Sequence, residues 1–189
     1  MILFSLTMAG MVVALGWLYA ILLGCQAWES RRFARGRQQL PLPDENCRRV
    51  ALYVPCKGYD LQLADNLKAL FKQDYANYEL VFVVESDRDA ACATIHDLMA
   101  RRPDVPARLV VAGQSTDSGQ KVHNLLVATA EVPERVQILA FADSDARPHP
   151  AWLSRLVSGL DKDGVGATTG YRWLFPLRNR LANFLLYSI

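Results

Sequence analysis

The chain has 189 residues, 51% of them hydrophobic and 21% charged, with a formal net charge of +2. That length and hydrophobic content suit one folded domain rather than a disordered polymer. So mild a charge, scattered save for one basic cluster, excludes a nucleic-acid binder.

Residues 1–28 carry no charged side chain, and 2–23 are almost entirely apolar. About 20 such residues cross roughly 30 Å of hydrocarbon, so residues 1–24 are expected to form one N-terminal transmembrane helix and to make the lipid bilayer a partner. Arg31, Arg32, Arg35 and Arg37 follow at once, against a single Glu29. The positive-inside rule then puts the rest of the chain on the cytoplasmic side, which is the inner membrane's cytoplasmic face in a bacterium. A cleaved signal peptide competes with this reading, as does a lipoprotein-type site at Leu22-Leu23-Gly24-Cys25. Both want a basic residue ahead of the apolar run, and none is there.

Residues 25–47 read as a basic and proline-containing linker, because Leu40-Pro41-Leu42-Pro43-Asp44 disfavours helix at each proline and at the residue before it. From Arg48 onward, apolar runs of strand length alternate with amphipathic runs of helix length. Strands are expected at 50–54, 79–84, 108–111 and 136–142, and helices at 61–73, 89–101, 119–130 and 151–160. This rhythm predicts an α/β fold, a doubly wound parallel sheet covered by helices. Four cysteines, Cys25, Cys47, Cys56 and Cys92, show no C-x-x-C pair and no zinc-site spacing, so they read as reduced thiols.

Ligands of such sheets bind beyond the carboxyl ends of the strands, and those positions are polar here. They carry Pro55-Cys56-Lys57-Gly58, Glu85-Ser86-Asp87-Arg88-Asp89 and Asp143-Ser144-Asp145. No G-x-G-x-x-G and no P-loop occurs, so neither a dinucleotide fold nor a P-loop NTPase is supported. Two carboxylates one residue apart, just past a buried strand, can share Mg²⁺ or Mn²⁺ and leave coordination positions for a diphosphate. D-x-D is also common in solvated loops, and Glu85 and Asp87 suit helix capping equally well.

The motifs together resemble ceramide glucosyltransferase and its bacterial relatives, within glycosyltransferase family 2 and the GT-A superfamily. Pro55-x-Lys57-Gly58, Asn66-Leu67, Phe71, Asp74-Tyr75, Tyr78-Glu79, Glu85-Ser86-Asp87, Ala107-Arg108-Leu109, Lys121, Asn124-Leu125 and Asp143-Ser144-Asp145 occur in that family's order across 48–173. The resemblance implies a GT-A fold over 48–170 and an inverting, metal-dependent transfer of a hexose from a UDP-sugar to a membrane lipid such as ceramide. It also implies nucleotide-sugar contacts at Pro55, Lys57, Glu85, Asp87, Lys121 and Asp143, and Mn²⁺ or Mg²⁺ ligands at Asp143 and Asp145.

No catalytic base is assigned. Asp161 and Asp163, the only later carboxylates, sit in an expected turn and read as structural. Arg172-Trp173 has Thr169 three residues before Arg172 rather than Gln or Arg, follows the D-x-D too closely, and is not taken for the family's later Gln/Arg-x-x-Arg-Trp motif. Residues 171–189 read as an incomplete acceptor-side or interfacial amphipathic segment, and the chain as a fragment. His96, His123 and His149 read as surface or pocket-lining residues, with His123, beside Lys121, the nearest to a ligand contact. Two further readings stay open: a non-catalytic membrane-anchored module that binds the nucleotide-sugar without the base, and a structural or receiver-like domain using its acidic cluster for Mg²⁺.

Overall fold

A computed structural model describes residues 2–37 and 47–170. The proline linker at 40–44 and the segment 171–189, with Arg172-Trp173, lie outside the described residues. The chain divides into two units, Met1–Leu42 and Pro43–Ile189.

The first unit holds one helix, α1, Ile2–Arg37. Its stretch Met8–Arg32 is long and apolar enough to cross a membrane, and none of it is buried against protein. The helix does not stop where the apolar run stops. Residues 25–37, expected as linker, are helical, because no proline interrupts them and Glu, Arg and Ala all favour helix. Arg32 lies over the Trp28 ring at 5.6 Å, one helical turn away, a cation–π contact that continues the helix past the charge boundary.

The second unit is an α/β fold. Its strands are β1 Val50–Pro55, β2 Tyr78–Val84, β3 Ala107–Val111 and β4 Ile138–Phe141. All pairings are parallel, in the order β3-β2-β1-β4. Val50 faces Tyr78 on one side and Ile138 on the other, so β1 is central and buried along nearly its whole length. Between and after the strands run α2 Leu63–Leu70, α3 Ala91–Arg101, α4 Gln120–Thr129 and α5 Trp152–Ser158, the last continuing into a 3-10 turn at Gly159–Asp161.

The period-2 alternation of β1 decides which helix packs where. Val50, Leu52 and Val54 face the larger core, with Leu63, Leu67 and Leu70 of α2, Ile95 of α3 and Leu153 of α5. Ala51 and Tyr53 face the smaller one, with Ala128 and Leu125 of α4. Helices therefore cover both faces, the doubly wound arrangement expected. In α2 the buried positions Leu63, Asn66, Leu67 and Leu70 follow the i, i+3, i+4, i+7 spacing of a helix with one inward stripe.

Polar ties lock the ends of the strands. The Glu79 carboxylate, buried on β2, accepts from Arg49 at 2.8 Å and Arg135 at 3.1 Å, joining the approaches to β1 and β4. Arg48 pairs with Asp161, which gives that carboxylate the structural role expected of it. Tyr75 donates its hydroxyl to the Arg48 carbonyl at 2.6 Å.

Candidate functional site

β2 and β3 are laid down successively on one side of β1, and the chain then crosses back through α4 to place β4 on the other side. The strand order reverses between β1 and β4, and a crevice opens beyond their carboxyl ends at such a switch point. A cleft of roughly 270 Å³ lies there. It is lined by Pro55, Cys56 and Lys57 from the end of β1, by Gln120, Lys121 and Asn124 from α4, and by Asp143, Ser144 and Asp145 after β4.

The chain leaves β1 through a turn that only glycine enters without strain, with Gly58 at φ 68°. Its amide donates to the Asp89 carboxylate at 2.9 Å, and the same oxygen accepts from the Ala91 amide at the start of α3, also at 2.9 Å. Asp89 thus performs the capping that Glu85 and Asp87 were equally suited to, and it pins the turn after β1 to the start of α3. Asp87 is exposed and outside the cleft lining, with its carboxylate accepting from the Ser86 hydroxyl at 3.3 Å. Glu85 reaches the cleft indirectly, through an ion pair of 3.2 Å with Lys57.

Five of the predicted residues, Pro55, Lys57, Lys121, Asp143 and Asp145, come together on the cleft wall. Lys121, in the first turn of α4, is hydrogen-bonded to the Asp143 carboxylate. That turn has no acidic residue, and its N-cap Gly119 contributes no side-chain cap. A lysine set against the positive end of a helix dipole is locally unfavourable, and an anion placed beside both relieves the conflict.

The Asp-Ser-Asp loop is held from below. Arg147 donates to the buried Asn66 amide oxygen at 3.3 Å and to Asp65 at 3.3 Å, tying the segment after Asp145 to α2. Asp143 is half-buried and Asp145 exposed on the same cleft. Two carboxylates on one wall, with a lysine ammonium already drawn to one of them, suit a divalent cation. Among the described residues no cluster of three His, Cys, Asp or Glu forms. The remaining positions of a cation held by Asp143 and Asp145 would fall to water and phosphate oxygens, as is usual for Mg²⁺.

Cys56 lines the cleft with a buried, protonated thiol. Burial pushes its thiol up to about 12, and the charges of Asp89 and then Cys92 act in the same direction. His123 is outside the cleft lining. Its ring Nε2 lies 3.0 Å from the Ala112 carbonyl at the end of β3, a structural tie. His96 and His149 are exposed and outside the cleft lining. Sequence reasoning assigned no site role to Gln120, Asn124 or Asn66, since amides at these places become legible only through the partners that hold them.

The domain is similar in fold to a GT-A glycosyltransferase. A mannosyltransferase from Pyrobaculum calidifontis, solved in complex with GDP-Man and Mn²⁺, superposes with a TM-score of 0.54 over 76% of this chain and 41% of its own, at 23% identity. The family model for Glycosyl transferase family 21 matches residues 8–182, and the chain belongs to that family. The resemblance to ceramide glucosyltransferases read from the motifs is thus borne out, with 21 rather than 2 as the number of the family matched. Ceramide glucosyltransferase 1 of Caenorhabditis elegans is 29% identical over 86 residues, 46% of this chain and 18% of its own length. Ceramide glucosyltransferase of Komagataella phaffii is 28% identical over 158 residues, 80% of this chain and 30% of its own. The chain therefore spans less than a third of the length of these curated relatives.

Proposed function

We propose that residues 48–170 form the donor-binding half of an inverting, metal-dependent hexosyltransferase that draws on a UDP-sugar and serves a membrane lipid acceptor such as ceramide. The observation that carries the proposal is the convergence of Asp143, Asp145 and Lys121 on one cleft at the β1/β4 switch point. Kinship with ceramide glucosyltransferases supports a hexose and a lipid acceptor, the GDP-Man and Mn²⁺ of the structural neighbour support a nucleotide-sugar and a cation, and the choice of UDP rests on the motif resemblance.

A divalent cation bound there would offset the negative charge that builds on a departing nucleoside diphosphate. Asp143 and Asp145 hold it in place. Lys121 and the uncapped start of α4 meet the phosphoryl oxygens. Pro55 and the Lys57–Glu85 pair wall the side toward the nucleoside, with Asp87 beyond them at the end of β2. Transfer to the acceptor belongs to a protein of the relatives' length. Through its apolar stretch α1 anchors the chain in the bilayer, and Arg31, Arg32, Arg35 and Arg37 set the domain on the cytoplasmic side, where nucleotide-sugars are available.

The test is calorimetric titration of UDP, with GDP as comparison, into the detergent-solubilised chain with and without Mn²⁺, repeated with Asp145→Asn. UDP binding that needs both the metal and Asp145 is expected. A folded protein that binds UDP equally well without either would remove the metal from the proposal.

A further inference from the structure

Asn124 is 3% exposed, lies one turn into α4 and lines the cleft. Its amide oxygen accepts from Gln120 Nε2 at 2.7 Å. Gln120 is itself committed at both ends: its Oε1 accepts from the Ser115 backbone N–H at 2.9 Å, and its Nε2 also donates to the Gly113 carbonyl at 2.8 Å. A backbone N–H can only donate and a carbonyl can only accept, so the loop between β3 and α4 dictates which way the Gln120 amide faces. Gln120 in turn dictates that the Asn124 oxygen faces it. What Asn124 has left to offer the cleft is its NH₂ group.

We infer that Asn124 is a donor-binding residue whose amide NH₂ hydrogen-bonds a phosphoryl oxygen, and that Gln120 is the positioning residue that fixes its polarity. This rests on the nucleotide-sugar reading of the cleft. A donor of fixed direction on the cleft wall is matched by a ligand atom that accepts. Lys121, in the same helical turn, and the positive end of α4 select an anionic oxygen over a hydroxyl or a carbonyl. The polarity is set by loop backbone 113–115, far in sequence from either carboxylate, so the cleft presents its donor before any ligand arrives.

The experiment measures UDP and inorganic pyrophosphate, each with Mg²⁺, by calorimetry on the full chain in detergent, with thermal unfolding of every variant as a control. Asn124→Ala should weaken both probes by about tenfold or more, the usual scale of a hydrogen bond to a charged group. Asn124→Asp, nearly isosteric, should weaken them further by turning a carboxylate toward the phosphoryl group. Gln120→Met should weaken both probes in the native background and add almost nothing to Asn124→Ala, because it acts through Asn124. Should Asn124→Ala leave both affinities within about twofold, or weaken UDP alone, the phosphoryl contact is wrong. Equal cost of Gln120→Met in both backgrounds overturns its positioning role. A folded wild-type chain that binds neither probe removes the nucleotide-sugar reading itself, and this inference with it.

Discussion

The Lys121 ammonium is bonded to the Asp143 carboxylate, so the first turn of α4 and the loop after β4 are bridged by opposite charges across the cleft. Their side chains are 60% and 40% exposed, and a pair so open to solvent contributes only about 0–1 kcal/mol. The divalent cation proposed for this site would displace it at little cost.

Lys121→Met should therefore move two affinities in opposite directions. Mn²⁺ alone, titrated by electron paramagnetic resonance, should bind up to about fivefold more tightly once its competitor for Asp143 is gone. UDP in the presence of Mn²⁺ should bind about tenfold more weakly for want of a phosphate partner. A variant that loses both affinities together would show that Lys121 builds the cleft rather than serving it.

Glu79 ties three elements together, and its titration carries a sign. Burial favours its neutral form, but hydrogen bonds from Arg49 and Arg135 outweigh burial and hold the carboxyl below its ordinary 4.5. A depressed carboxyl stabilises the fold at neutral pH, and that stabilisation drains away as pH falls through the folded-state value, below 4.5. Glu79→Gln should cost about 1–3 kcal/mol at neutral pH in urea unfolding, and the gap from wild type should narrow under acid. A constant gap from about pH 7 to about pH 3 would mean the charge of Glu79 is not what matters.

Cys56 should resist alkylation while the domain is folded, since a thiol pushed up to about 12 is almost wholly protonated near neutrality. Iodoacetamide labelling followed by mass spectrometry should find Cys56 modified only after denaturant is added. Burial also raises the Cys92 thiol, with the charges of Asp89 and Asp87 adding to it, so Cys92 should follow the same course. Rapid labelling of Cys56 in a cooperatively folded sample would contradict its burial.

The Tyr53 hydroxyl is buried without a hydrogen-bond partner among the described residues, and its ring is stacked on Phe141 at 5.7 Å between centroids. Tyr53→Phe keeps the stack and removes the orphan. Stability should stay level or rise by about 1 kcal/mol, read from urea unfolding. A loss larger than that would reveal an acceptor for the hydroxyl.

The eight strand and helix positions of the folded unit were legible in the sequence because each apolar run keeps one period and ends at turn-forming or polar residues. The strand ends moved by one or two residues and the helices shortened, because starts are decided by local hydrogen bonds that periodicity does not contain. Asp60 accepts from the Gln62 amide at 3.2 Å before α2, and Asp89 does the same for α3. The place of β4 beside β1 could not be read from spacing, since it is fixed by the face on which α4 packs. In the cleft, the Asp-Ser-Asp pair and Lys121 announced themselves as charges. Gln120 and Asn124 did not, because an amide shows no preference until backbone groups of a distant loop orient it.

The pairing of β1 with β4 also sets an order in time. Val50 meets Tyr78 across a short stretch of chain, but Arg49 meets Gln137 across 88 residues. Contacts of such long range form late, after the nearer ones have shortened the effective loop. The cleft exists only once that last strand has docked. The nucleotide affinity proposed for the cleft would then be a property of the finished domain, and its appearance during synthesis or refolding would mark completion, while signals from β1, β2 and β3 report only the earlier stages.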